Sequence, residues 1–397
     1  MKRIPQLMLS ASLFLLLSLP LHAEKLLMEN EVDVRRFGSK SLYVMAGGEH
    51  ARLNGRYKIA DSRGNYQEVG LSDGVKDGAC KRYDYKDRLL SEASYRDGKM
   101  EGAFRSYHQN GKLSREGEYA AGKQQGEWRY YDDKGQKVTV EHYKEGKATG
   151  EWWRLLTVTV GGGTGGWWAL FFDMHPDYRE SSGGTVKVEE VSSYRGGEHH
   201  GRSWQKVVDG PVRWERDYEN DGTYTSREYY PNGKLELEKH LKDGKLEGHF
   251  KVYTKAGVLV ADRVFKDDAL QHETLYWESG VKQYLKSYRH AELDGEFKEW
   301  NEKGELLTEG VYEGGAKSGL WKTYVPEEKR LASEVSYEGG QPHGQAKFYN
   351  AAQRVERQGE YVHGEKNGLW KRYDLAGKLK EEVEYAMGRE VGRREYK

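Results

Sequence analysis

Residues 110–128 read NGKLSREGEYAAGKQQGEW, and the spacing of glycines and rings in this stretch recurs along most of the chain. Gly126 follows Gly122 by four residues. Trp128 comes two residues after Gly126, and Tyr131 three after that. Working outward, Gly78, Gly102, Gly126 and Gly150 are spaced by 24 residues, and Gly295, Gly319, Gly344, Gly368 and Gly392 by 24, 25, 24 and 24. Gly98, Gly315 and Gly364 repeat the preceding glycine. Phe104, Trp152, Phe250, Phe297, Trp321 and Trp370 repeat the ring, and Tyr107, Tyr253, Trp300, Tyr324 and Tyr373 the second ring. The other half of each unit carries Leu, Glu and Tyr three apart, as in Leu113, Glu116, Tyr119 and Leu379, Glu382, Tyr385. About thirteen such units fit between Gly55 and Gly392, so periodicity decides the architecture before any domain division does.

Each unit reads as a β-hairpin. Glycine recurs too often for helices of ordinary length, because an interior glycine costs about 1 kcal/mol relative to alanine. Asn110-Gly111 and Asn232-Gly233 are pairs that accept positive φ in a tight hairpin turn. The Gly-xxx-Gly corners DGKMEG (97–102) and DGKLEG (243–248) supply the other turn. Strand parity places Leu113 and Tyr119 on one face and Glu116 on the other, and Trp128 opposite Tyr131 unless a bulge intervenes. The structural positions are therefore the corner glycines Gly102, Gly126, Gly319 and Gly368 and the rings Trp128, Trp321 and Trp370. The expected fold is all-β: about thirteen 24-residue hairpins in a solenoid-like array with one insertion.

The segments YAAGKQQGEW (119–128), NGKLSREGEY (110–119), YEGGAKSGLW (312–321) and YVHGEKNGLW (361–370) resemble the MORN repeat family, in its bacterial MORN-variant branch. The resemblance runs from about residue 50 to 397, apart from the insertion. It implies an elongated antiparallel sheet of successive hairpins, and an antitoxin-like role of the kind attached to many members of that branch. Eukaryotic MORN repeats have a third glycine where this chain has Trp or Phe, so lipid binding is not carried over.

Composition sets the remaining bounds. The 397 residues include 64 Lys+Arg, 64 Asp+Glu, 49 Gly, 7 Pro and one Cys. Charge balance removes the electrostatic case for nucleic acid. The 29 Tyr, 11 Trp and 9 Phe exclude a disordered chain. Lys2-Arg3, the apolar run Leu7–Leu19 and Leu21-His22-Ala23 read as a signal peptide cut after Ala23, which implies a periplasmic or secreted protein. Residues 24–49, with Leu26-Leu27 and Leu42-Tyr43-Val44, are expected to cap the array, which then occupies 50–155 and 184–397.

Between them, residues 156–183 interrupt the repeat with Gly161-Gly162-Gly163, Trp167-Trp168-Ala169-Leu170-Phe171-Phe172 and His175-Pro176-Asp177. The glycine cluster lacks the Gly-Lys-Ser/Thr ending of a phosphate loop. Trp167, Trp168, Phe171 and Phe172 are the candidate binding residues, either as a flap packed on the sheet or as a partner-binding or membrane-dipping loop. Membrane contact is expected only there.

No catalytic constellation emerges. His343 and His363 fall at turns, and His175, His199 and His200 lack any HExxH or Cys/His metal spacing. Glu116, Glu141, Glu215, Glu238, Glu309, Glu334 and Glu382 recur in register, as cross-strand partners of Lys and Arg would. Cys80 stands 24 residues before Phe104 and fills a core slot. The expectation is a non-enzymatic exported scaffold, without metal or cofactor, binding a protein partner through its sheet or the 156–183 loop. Rows of rings also suit glycan or cell-wall binding, and the family resemblance suits neutralising a partner protein.

Overall fold

The computed structural model describes residues 25–38, 40–48, 50–160 and 184–397. The chain divides into two compact units, one ending at Ala148 and the other spanning Thr149–Lys397. Both are built from strands, most of them hydrogen-bonded to the next in sequence; the described residues contain no α-helix, only two single 3₁₀ turns.

In the first unit the ladder runs Gly55–Ala60, Tyr66–Ser72, Val75–Tyr83, Leu89–Arg96, Lys99–Tyr107, Leu113–Ala120, Lys123–Tyr131 and Lys137–Lys144, every neighbour antiparallel. One pairing departs from the all-antiparallel expectation. Lys25–Met28 lies parallel to Gly55–Ala60, with Lys25 opposite Tyr57. A parallel return needs a long crossover, and residues 29–54 supply it. That crossover holds a separate hairpin, Val32–Phe37 with Lys40–Met45. Val32 and Tyr43 of this hairpin pack with Leu53, Tyr57, Ile59, Val69, Leu71 and Cys80 in the unit's main apolar cluster.

The second unit begins with two long strands, Gly150–Val160 and Gly184–Arg195, paired without interruption from Gly150–Tyr194 to Val160–Gly184. Antiparallel strands of seven to ten residues then follow from Gly201–Val207 to Arg389–Glu395.

Turn chemistry alternates along both ladders. The Asp97-Gly98 corner is a two-residue turn between the paired Arg96 and Lys99, with φ of 49° and 77°. Positive φ at both positions is the type I′ geometry that matches strand twist. Asn110-Gly111 differs from the sequence expectation. Only Gly111 has positive φ (81°), and His108 N–H donates to Lys112 O at 2.8 Å, so this is a longer turn closed by a glycine bulge. Asn110 contributes through its side chain, whose Oδ1 accepts Lys112 N–H at 3.0 Å.

A second correction concerns Leu113. Pairing slips between Ser106–Arg115 and Tyr107–Leu113, leaving Ser114 as an extra residue. The bulge turns Leu113 onto the face of Arg105 and Glu116, away from Tyr119. The same slip recurs at Tyr253–Leu259, Trp300–Leu306 and Tyr373–Leu379.

Candidate interaction surfaces of the repeat

The ring-bearing face is a packed core. Trp128, Trp321 and Trp370 are 0%, 4% and 5% exposed. Each indole lies flat on a glycine of the preceding strand: a Cβ on Gly117, Gly310 or Gly359 would stand 2.3 Å from the ring. Tyr119, Tyr312 and Tyr361 meet the same rings edge-on at 5.0–5.1 Å. Lys317 and Lys366 lie over the second and third at 4.1 and 4.7 Å. Rings covered in this way present no open platform for stacking a sugar.

These inner glycines were missed by the sequence reading, which assigned the glycine excess to turns and the insertion. The signal was available, because each lies eleven residues before a tryptophan. The same offset joins Ala93 to Phe104, Val69 to Cys80 and Val335 to Ala346, all direct cross-strand pairs. Where one residue of the pair is large the other is small, as close packing demands. Cys80 takes its place in this series, 5% exposed, with Sγ 3.6 Å from Lys76 Nζ.

The corner glycines serve a different need. Gly102, Gly126, Gly319 and Gly368 have φ of 83°, 68°, 63° and 69°, and nothing lies within 4 Å of a Cβ built on any of them. Backbone conformation alone fixes glycine there.

The opposite face carries the recurring carboxylates except Glu141, which is paired with Trp128 and lies on the ring-bearing face. Several accept tyrosine hydroxyls: Tyr107 donates to Glu92 (2.8 Å), Tyr131 to Glu116 (3.0 Å), Tyr324 to Glu309 (2.7 Å), Tyr349 to Glu334 (2.6 Å) and Tyr396 to Glu382 (2.6 Å). Trp128 and Tyr131 therefore do face opposite sides. Cations bridge the rows as well, Arg105 lying 3.5 Å from both Glu92 and Glu116. Burial, and then the glutamate acceptor, pushes the Tyr107, Tyr324 and Tyr349 hydroxyls up to about 12. Every one of these carboxylates has a structural partner, an arrangement suited to holding strands together.

Along the longer turns, side chains reach the neighbouring repeat. Asn110 Nδ2 donates to Asp133 O at 2.6 Å, Asn232 Nδ2 to Lys255 O at 2.9 Å, and Tyr230 Oη to Tyr253 O at 2.7 Å. The rings of His343 and His363 meet edge-on with centroids 5.2 Å apart; His363 opens a two-residue turn, as expected from the sequence, whereas His343 lies within the strand Gln341–Tyr349.

Two places depart from this regularity. In the first unit, a cavity of about 500 Å3 lies under the 32–45 hairpin, lined by Lys40, Arg52, Arg96, Asp73, Asp77 and Asp97. Its charges balance, and ion pairs Lys40–Asp97 (2.5 Å) and Arg52–Asp73 close it. In the second unit, the strands after Gly150 put polar residues on the core face. Ser203, Arg216, Ser226 and Lys239 follow one another across four strands. Beside them run Tyr194, His199, Tyr218 and Tyr224, their rings 4.5–5.0 Å apart. Burial, with Arg216 and Arg154 nearby, lowers the His199 pKa; burial also lowers that of Lys239, against the pull of Glu228.

The candidate binding residues Trp167, Trp168, Phe171 and Phe172, with His175, lie outside the described residues, as does the segment 1–23. Among the described residues no group of three or more His, Cys, Asp or Glu is arranged to hold a metal.

Comparison with known proteins gives three matches to one family and no curated relative. The family described as MORN repeat variant matches residues 100–121, 225–243 and 366–387. No curated protein matches the chain. Among solved structures, a chain of the Photorhabdus luminescens Tc holotoxin pore is similar at 12% identity with a TM-score of 0.19; the match covers 88% of this chain and 23% of that one. MORN-variant repeats at three separated positions thus carry the family likeness, on a ladder of β-hairpins.

Proposed function

We propose that this protein is an exported, non-catalytic repeat scaffold that binds a protein partner through the segment 156–183 and the adjoining sheet surface. The observation that carries the proposal is the hairpin holding that segment. Gly150–Val160 and Gly184–Arg195 stay paired over eleven residue pairs, longer than the strands of the regular repeats, so the Gly/aromatic segment is borne at the end of a β-ribbon. The recurring charges and rings are already engaged with one another, and a repeat module of this family type is more often an interaction surface than a catalyst.

The test is affinity capture with the full chain and with a variant lacking residues 160–180. Loss of a partner on deletion supports the assignment to the loop. Retention of every partner by the deletion variant overturns it. Fractionation of the producing cell checks export separately: the reading requires the chain outside the cytoplasm, shortened at Ala23.

A further inference from the structure

The core-facing row of the second unit contains two ionic stretches that share one layout 47 residues apart. In the later stretch Arg263, Glu273 and Lys286 are direct neighbours across three strands, followed by Phe297. Glu273 is 8% exposed, and it is fully engaged. It accepts Arg263 Nε–H at 2.8 Å and the Tyr288 hydroxyl at 3.2 Å, and pairs with Lys286 at 3.7 Å. Arg263 and Lys286 therefore share one carboxylate, which gives this row a counter-charge from within the chain.

In the earlier stretch Arg216, Ser226 and Lys239 are neighbours in the same way, followed by Phe250. The cations are kept, but serine stands where Glu273 stands. The consequence is visible atom by atom. Arg216 Nε, the counterpart of the donor that Glu273 satisfies, is buried without a hydrogen-bond partner, and so is Ser226 Oγ; Ser226 is 1% exposed. The Trp214 ring lies 4.7 Å from the Arg216 guanidinium carbon and braces it. Glu228 pairs with Lys239 at 3.4 Å but belongs to the adjacent row, opposite Leu237, and is 37% exposed. A buried donor left unpaired is costly, by more when it carries charge, so two such groups on directly paired residues, with Lys239 next in the row, mark a missing acceptor.

We infer that Arg216, Ser226 and Lys239 form a binding site for a carboxylate group supplied by a ligand. Arg216 Nε–H and the Ser226 hydroxyl donate to its oxygens, Lys239 supplies the second positive charge, and Tyr218 and Tyr224 of the neighbouring row flank its body. The ligand occupies the place that Glu273 fills from within the chain two repeats later.

The experiment follows thermal unfolding of the full chain in acetate against chloride at equal ionic strength. Acetate at tenfold its half-saturating concentration is expected to raise the midpoint by roughly 2–4 °C. Ser226→Glu installs the carboxylate internally; it is expected to raise the midpoint in chloride and abolish the response to acetate. Arg216→Gln is expected to abolish the response too, and Glu273→Ser to enlarge it by creating a second site of the same kind. An equal midpoint in acetate and chloride, a response that survives in Arg216→Gln, or a Ser226→Glu variant less stable than the parent would each overturn the assignment. A short glutamate peptide identifies the source of the group: response to acetate alone assigns a free small acid, and response to the peptide at lower concentration assigns an acidic side chain of a partner. Failure here leaves the loop-borne interaction untouched, since deleting 160–180 tests that independently.

Discussion

Adding one methyl group at Gly310 tests the packing of the repeat directly. Gly310 lies outside the positive-φ region, so alanine meets no backbone strain there. The obstacle is purely steric: its Cβ would stand 2.3, 2.4 and 2.7 Å from Cδ2, Cε2 and Cγ of Trp321. Carbon contacts are favourable at about 3.5–4.0 Å, so ring or strand must retreat by more than about 1 Å. Trp321 is 4% exposed and held by Tyr312 at 5.1 Å, Phe297 at 5.5 Å and the bond from Nε1–H to Val311 O at 3.1 Å. Overpacking costs about 1–3 kcal/mol, the strained hydrogen bond adds about 1, and reduced unfolded-state freedom returns about 0.5–1. Gly310→Ala should therefore destabilise the region by about 2 kcal/mol. Because a repeat array need not unfold all at once, the readout is native-state hydrogen exchange of the amides between residues 306 and 325. The compensating change is Trp321→Phe, which recreates the Ala93–Phe104 pair of the first unit. The double variant should be more stable than the two single costs sum to, by at least about 1 kcal/mol. A neutral Gly310→Ala, or strictly additive effects, would refute the size-matching argument.

Three further outcomes follow from other parts of the ladder. Gly319 has φ of 63° with open space around its Cβ, so Gly319→Ala should cost about 1–2 kcal/mol through backbone strain alone, Gly319→Asn less, and neither should respond to Trp321→Phe; urea unfolding of the set measures this. Glu273→Gln removes the carboxylate that Arg263 and Lys286 share and should cost about 3–5 kcal/mol, against less than about 1 for breaking the exposed Lys40–Asp97 pair with Lys40→Ala, as hydrogen exchange around each site reports. Tyr107, Tyr229, Tyr324 and Tyr349 are held neutral in the fold, their pKa raised from 10.0 to about 12, so the unfolded chain loses its tyrosine protons first. Stability should be undiminished by these groups below pH 10 and fall as the pH rises from 10 towards 12; a thermal midpoint level through pH 11.5 would contradict it.

The repeat was legible because each hairpin needs positive φ at fixed places, and glycine at Gly102 or Gly126 meets that need from sequence alone. The alternation of turns was less so. Asn-Gly is the usual two-residue signal, yet here Asp97-Gly98 takes that role, since the choice depends on which residues are paired across the strands. Face assignment failed at Leu113 for a related reason: one extra residue in a strand, Ser114, reverses parity and leaves no compositional mark. Most of the tyrosine–glutamate bonds join residues fifteen apart, and only the pairing register reveals that offset. The polar row at Arg216, Ser226 and Lys239 lies at core positions that a Trp or Phe template simply fails to match, so the sequence reading passed over it. The candidate loop rings rest on composition alone.

One rule connects these features. Along the core-facing row every site must match its cross-strand neighbours, in volume where the row is apolar and in charge where it is ionic. Trp321 over Gly310 and Ala346 beside Val335 satisfy the first condition. Arg263, Glu273 and Lys286 satisfy the second. Both conditions are local, so a 24-residue period can tolerate exchange between them without altering the backbone, and rows of either kind coexist in one ladder. A row that satisfies neither stands out against this background more sharply than it would in an irregular fold. Arg216 and Ser226 form such a row, and the intact copy 47 residues later shows which chemical group is absent.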